Sequence, residues 1–409
     1  MKISKTIILP QVWEKKKLKE VITEIKDGGT PSRSKPEYFG GDIGWCVVKD
    51  ITPKIYSTRE TLTELGLSKC SAKVWPINSV IISLGATIGQ VGIAKIPVAT
   101  KQGISGIVVK ENLLNVEYLV YYLNFKKEFI QESATGATIK EIRPTKLAEI
   151  IEIPLPPLPE QQRIVAILDD AFAKIEKAKA NAEQNLKNAK ELFESYLQRV
   201  FENKGDDWEE KKLFEITNKI GSGATPRGGN ESYKSEGISL VRSMNVHDLE
   251  FRDKNLAFID DQQAKELNNV SLQENDVLLN ITGASVARCC VIPKKFLPAR
   301  VNQHVSIIRA KKEIIDPIFL NLLLTSKFYK DQLLFTGEQG ATRQAITKAQ
   351  LEVFKIAFPK SIKEQKSLIN KLEALSLETK KLEAIYDQKI KELEELKKSV
   401  LQKAFSGEL

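Results

Sequence analysis

This 409-residue chain has little with which to do acid–base or metal chemistry. It holds two histidines, His247 and His304, and neither stands among clustered partners. Its four cysteines, Cys46, Cys70, Cys289 and Cys290, form no C-x-x-C pair, and adjacent Cys289 and Cys290 chelate poorly. No zinc site is therefore expected, and reduced, buried thiols are. No apolar run approaches the ~20 residues that span a bilayer. The Ile7-Ile8-Leu9 cluster is too short for a signal-peptide core. A cytoplasmic location without a membrane partner is the expectation. A nucleotide-driven motor would need a Gly-x-x-x-x-Gly-Lys-Ser/Thr loop, and none is present. An adenine methyltransferase would be expected to show Asn/Asp-Pro-Pro-aromatic, but Pro156-Pro157 has leucine on both sides. The absences argue against an enzyme.

What is present suits a soluble protein of two to three domains, with 42% hydrophobic and 28% charged residues. The net charge is +9. Residues 1–159 carry 22 basic and 16 acidic groups, and residues 208–359 carry 21 and 18. The positive excess thus sits mainly in two stretches outside the Gly- and Pro-free segments, which fits a polyanion such as DNA.

The chain also repeats itself. Trp13-Glu14-x-Lys16-Lys17-Leu18 returns as Trp208-Glu209-x-Lys211-Lys212-Leu213, 195 residues later. Gly28-Gly29-Thr30-Pro31 returns as Gly223-Ala224-Thr225-Pro226, and Asn78–Ile82 as Asn275–Leu279. Gly85-Ala86-Thr87 matches Gly283-Ala284-Ser285, and Gln102 and Ser105 match Gln303 and Ser306. At an offset of 204, Gly136-Ala137-Thr138 matches Gly340-Ala341-Thr342, Glu160-Gln161 matches Glu364-Gln365, and Leu197-Gln198 matches Leu401-Gln402. Each half is a globular part followed by a helical part. Short β-branched runs, Val80–Ser83, Gly92–Ile96 and Ile104–Lys110, read as strands. Glu117–Gln131 and Pro317–Phe335 read as single helices with apolar faces.

Residues 160–203 and 361–406 contain neither Gly nor Pro and read as two long helices. The second shows a heptad through Leu372, Leu375, Thr379, Leu382, Tyr386, Lys389, Leu393, Leu396 and Val400. The same frame 204 residues earlier picks out Leu168, Ala171, Ile175, Ala178, Ala182, Asn185, Ala189, Leu192 and Tyr196. Small residues on one seam oppose large ones on the other, which suits mutual packing. Asn185 and Lys389 share the one polar position and are candidates for a register pin. Short connections favour an antiparallel pair. The fold class expected is α+β: two similar mixed α/β globular domains separated by two long antiparallel coiled-coil helices, a pseudo-twofold internal repeat. The segments are 1–159, a first globular domain; 160–207, a first spacer helix; 208–359, a second globular domain; and 360–409, a second spacer helix.

These residues resemble a known family, the specificity subunits of Type I restriction–modification enzymes. The resemblance rests on Gly28–Pro31 and its copy Ala224–Pro226. It rests also on the run from Ile153 through Pro154-Leu155-Pro156-Pro157-Leu158-Pro159-Glu160-Gln161-Gln162-Arg163 to Ile164, and on the ending Leu401 to Leu409. The second copy departs from the Pro-rich run, with Ala357-Phe358-Pro359-Lys360-Ser361 in its place. The resemblance implies two target recognition domains, each reading one half of a split double-stranded DNA site, and helices that set the gap and dock two methyltransferase subunits. It implies restriction subunits joining the assembly, with S-adenosylmethionine and ATP with Mg bound on those partners. This chain itself would carry no cofactor, metal or catalytic residue. A non-enzymatic two-headed protein-binding scaffold would fit the duplication equally well.

Base reading needs donors and acceptors on loops, and register needs phosphate contacts. The candidates are Ser32, Arg33, Ser34, Lys35, Lys49, Thr87 and Lys101 in the first half. In the second they are Arg227, Arg242, Ser243, Asn245, Ser285, Arg288, Gln303 and Arg343. The Gly-Thr-Pro loops read either as phosphate cradles or as structural turns. The segments at Gly136 and Gly340, followed by Lys140, Arg143 and Arg343, leave the same choice.

Overall fold

The computed structural model describes residues 13–136, 140–338 and 345–409. The chain forms two compact units, one of Met1–Ala182 with Gln388–Leu409 and one of Glu183–Asp387.

In the first unit the apolar runs pair into a five-stranded sheet. Its order is Ile22–Asp27, Ile104–Val109, Val80–Ser83, Val91–Ala94 and Lys54–Ile55. Val80, Ile82, Ile93 and Ile107 bury one face under Tyr118, Leu119 and Leu123 of the helix Val116–Phe125. A second sheet joins Glu60–Leu62, Phe39–Cys46, Val98–Thr100 and Val74–Trp75 around the buried rings of Trp45 and Trp75. A ribbon of Glu14–Lys17 with Glu152–Leu155 closes the unit.

The second unit repeats the plan. Thr217–Ser222, Val305–Ala310, Val277–Asn280 and Cys289–Val291 stand in the order of their counterparts. The ribbon recurs as Trp208–Lys212 with Lys355–Pro359. A three-stranded sheet of Ala257–Ile259, Ile238–Val241 and Ala299–Val301 takes the place of the second sheet.

The two shorter helices are broken where single ones were expected. Val116–Phe125 is followed by Lys127–Glu132, and Pro317–Thr325 by Lys327–Glu338. At the second break Ser326 is extended, and its buried hydroxyl donates to the Leu323 carbonyl. The Phe328 amide then donates to the side chain of Gln198 at 2.8 Å. A polar partner on a neighbouring helix thus replaces the lost helical bond.

The long helices are Leu158–Glu202 and Ile362–Ser406, 45 residues each. Within the first unit they run antiparallel. Arg163 donates to the Leu409 carbonyl, Glu176 pairs with Lys397, and Lys179 pairs with Glu394. Within the second unit, Leu197 and Phe201 share a core with Ile369 and Leu372. Of the expected seam, Leu168, Ile175, Ala182, Ala189, Leu372 and Thr379 are buried, and Ala171, Ala178, Tyr196, Leu375, Tyr386, Leu393 and Val400 are half-buried. Three positions are corrected: Leu192, Leu382 and Leu396 stay 48%, 38% and 47% exposed. Asn185 and Lys389 are exposed too, so neither pins a register. The first helix keeps Ala182 and Ala189 of that frame inward, and Leu186, Phe193 and Leu197 turn inward where Asn185 and Leu192 do not. A helix near 3.6 residues per turn drifts ~20° per heptad from a strict seven-residue frame, so one of the two heptad positions, that of Asn185, Leu192, Leu382, Lys389 and Leu396, slides off the buried stripe while the other stays on it.

Candidate nucleic-acid interface

The repeated motifs gather at one end of each main sheet. In the first unit, Gly28 and Gly29 donate their amides to the carbonyls of Ile104 and Thr100, each at 3.0 Å. The amides of Leu84 and Gly85 both reach the Gly103 carbonyl, and Lys101 reaches Cys46. The Asp27 carboxylate accepts from Gly103 and Ser105. The segment before Arg143 joins them, with Ile142 donating to Leu84 at 2.9 Å. Five loops, near residues 28–35, 46–50, 84–89, 101–103 and 140–143, thus form one cluster. The second unit builds the same cluster through Gly223 to Asn302, Asn302 to Val241, Ile281 to His304 and Ile346 to Ile281.

These bonds decide the role of the Gly-Thr-Pro loops. The glycine amides are already used inside the fold, so a structural turn is favoured over a phosphate cradle. A Cβ at Gly28 would lie 2.1 Å from the Thr100 carbonyl oxygen, and one at Gly223 1.8 Å from that of Val301. Only glycine lets the loop lie this close to its neighbour.

Around the clusters the candidates differ in what they can offer. Lys49, Arg227 and Arg288 make no side-chain hydrogen bond or ion pair with the described residues, and they suit phosphates. Exposed Lys35 lies 3.9 Å from Glu37. Ser32 and Ser34 share a 2.9 Å hydrogen bond on the exposed loop. Thr87 is exposed, while its carbonyl accepts from the Ser83 hydroxyl. Arg242 lies over the Tyr233 ring at 5.2 Å and donates to the Asn255 carbonyl at 2.5 Å. The Gln303 side-chain oxygen accepts from Thr225, and its nitrogen lies 3.1 Å from His304.

Two candidates turn inward. Asn245 is fully buried, accepts from the Arg242 amide at 3.1 Å and donates to the Arg252 carbonyl at 2.8 Å. It holds a 3-10 turn and is unavailable to a base, which corrects its assignment. Asp50 does the same work in the first unit, accepting from the Val47 amide at 3.0 Å. The Ser285 hydroxyl accepts from buried Asn280 at 3.1 Å, and the Ser243 carbonyl accepts from the same amide. Arg343 lies outside the described residues, as do Ala137, Thr138 and Gly340–Thr342.

Sequence reasoning missed the groups that hold Arg33. Its guanidinium forms a two-pronged pair with Glu60 at 2.5 and 3.1 Å. It also lies 4.9 and 5.0 Å from the ring centres of Phe39 and Trp45. Arg33, with a contribution from Lys101, holds the Glu60 carboxyl below its ordinary range. Nothing in the local sequence links positions 33 and 60, because their meeting depends on strand pairing of Phe39–Cys46 with Glu60–Leu62.

Among the described residues no cluster of His, Cys, Asp or Glu could hold a metal ion, and no helix is long and apolar enough to cross a membrane. Cys46, Cys289 and Cys290 are buried and Cys70 half-buried, all as free thiols.

Comparison with known proteins adds a second line of observation. The family model described as the Type I restriction modification DNA specificity domain matches residues 10–185 and again 205–395. The specificity subunit of the Type I restriction enzyme MjaIX, from Methanocaldococcus jannaschii, is 31% identical over 325 residues, 73% of each chain. The EcoBI specificity subunit of Escherichia coli is 25% identical, over 76% of this chain and 70% of that one. Among solved structures, a chain from work on assembly and conformational transition of the type I R-M system has a TM-score of 0.78 at 20% identity. It covers 99% of this chain and 100% of that one. The HsdS subunit of Thermoanaerobacter tengcongensis has a TM-score of 0.67, also at 20% identity, over 98% of both chains. At that identity the two structures speak for the fold.

Proposed function

We propose, because this chain belongs to the Type I restriction–modification DNA specificity family, that its two units are the separate readers of a split, asymmetric DNA site. The chain is a sequence-recognition subunit of such a system. The observation that carries the two-reader assignment is the duplicated loop cluster. Both copies share one backbone framework and differ in the side chains they present. Arg33 on its aromatic pair in one is set against Arg227, Arg242 and Arg288 in the other. A common frame with different donors is what reading two unlike half-sites requires.

The long helices set the distance between half-sites and dock two methyltransferase subunits, with restriction subunits joining the assembly. Methyl transfer and cleavage belong to those partners, which bind S-adenosylmethionine and ATP with Mg. The work is done in the cytoplasm. Support for this comes from the family membership and from the histidine-poor composition.

Salt titration tests DNA reading directly. Contacts to about six phosphates should lower affinity roughly a thousandfold between 50 and 200 mM salt. Binding that stays flat over that range would reject DNA reading and favour a protein scaffold.

A further inference from the structure

We propose that Arg33 is the guanine-reading side chain of the first unit, held for that task by Glu60 and the Phe39–Trp45 pair. The proposal rests on the two-reader function above and adds to it a residue and the base it selects.

The argument begins with which guanidinium hydrogens are in use. The two terminal nitrogens of Arg33 face the two carboxylate oxygens of Glu60, Nη1 to Oε2 and Nη2 to Oε1. This end-on fork consumes one hydrogen of each. Three hydrogens remain, and two of them, on Nε and the second on Nη2, lie parallel along the side of the plane. Such an edge matches the O6 and N7 acceptors that guanine shows in the major groove. The side chain is 52% exposed despite the fork, so a duplex can reach it.

Next comes rigidity. An arginine on a loop would ordinarily lose much side-chain freedom on meeting a base. Here the plane is fixed beforehand by the carboxylate on one edge and by the two rings beneath. Trp45 is itself fully buried, and its indole nitrogen donates to the Gly29 carbonyl at 3.1 Å. The stack is thereby fastened to the loop that carries Arg33. Lys35, Lys49 and Lys101 are compact charges on flexible stems and suit phosphates, whereas recognition of a planar base edge needs a held fork. Among the described residues, the second unit has no copy of this device. Leu240 begins the stretch Leu240–Asn245, as Trp45 begins Trp45–Asp50, and Val47 stands in the place of Arg242. The two heads therefore differ where a selectivity element is expected to differ.

The test uses the full chain assembled with its methyltransferase subunits and a randomised DNA duplex pool, with bound sequences read out. The wild type is expected to require a guanine in the half-site assigned to the first unit. Arg33→Lys and Arg33→Ala should lose roughly ten- to a hundredfold discrimination at that one position and leave the other half-site unchanged. Replacing that guanine by 7-deazaguanine should weaken the wild type and cost Arg33→Ala nothing further. Glu60→Gln, which keeps the arginine and loosens its hold, should blur the same position by less. Uniform weakening over all sequences would make Arg33 a phosphate contact and overturn the proposal, as would an unaltered motif in both Arg33 variants. A control exchange of residues 208–359 for a relative's separates the two levels. If that exchange alters one half-site while Arg33→Ala alters nothing, Arg33 is misassigned and the two-reader function stands. If it alters both, the two-reader function fails.

Discussion

Gln161 and Gln365 perform one job twice. Each is fully buried at the start of a long helix. Gln161 accepts from the Asn115 amide at 2.8 Å and donates to the carbonyls of Leu113 and Pro156. Gln365 does the same with Asp316, Ile314 and Pro359. Each side chain ties its long helix to the loop before a short helix of the head. The repeat Glu160-Gln161 and Glu364-Gln365 was visible in the sequence; what the glutamine does was not, because two of its three partners lie about fifty residues away. Gln161→Ala or Gln365→Ala leaves an amide and two carbonyls without partners and should cost about 1–3 kcal/mol, measured by urea unfolding. The thiols give a second check at this scale. Burial pushes the Cys46 and Cys290 thiols up to about 12 and raises the Cys289 thiol well above its ordinary range, while Cys70 is half-buried. Because the thiolate is the reactive form, a disulfide-exchange reagent at neutral pH should titrate one thiol in the native protein. All four should react after denaturation. Rapid native reaction of three or four would contradict the packing of both sheets.

Among elements, the long helices were the most legible, because forty residues without Gly or Pro leave few alternatives. Their buried face was less so. A strict seven-residue frame placed Leu192, Leu382 and Leu396 inward, but helical drift brings Phe193 and the stem of Lys397 to the packed side. Lys397 lies 4.9 Å from the Phe172 ring centre and reaches Glu176. No pattern of apolar residues would mark a lysine there. The strands Val80–Ser83 and Ile104–Val109 followed from their β-branched runs, whereas the helix break at Ser326 is met by a tertiary partner, Gln198. The helix ends carry a symmetric pair of anchors. Phe405 packs on Tyr118, Tyr122 and Phe125, and Phe201, 204 residues earlier, packs on Trp208 and Phe319. Phe405→Ala and Phe201→Ala should each cost about 3–5 kcal/mol. Hydrogen exchange should show the loss in the first unit for one and the second unit for the other. A loss of protection in both units from either change would mean that the anchors do not act within their own units.

For the molecule as a whole, the repeat was the strongest signal in the sequence, and the two matched sheets give it physical form. The candidate interface was legible as a region and not as a set of contacts. Turn residues repeated between the two halves showed where the loops lie, while the partners that lock Asn245 inward and hold Arg33 outward lie elsewhere in the chain. The central claim, that each unit reads its own half of the target, is tested most directly by exchanging residues 208–359 for those of a relative with a known target. Methylated adenines would then be mapped in cells carrying the hybrid. The account predicts a new motif in which one half-site is replaced and the other is retained. A motif altered in both halves would contradict it.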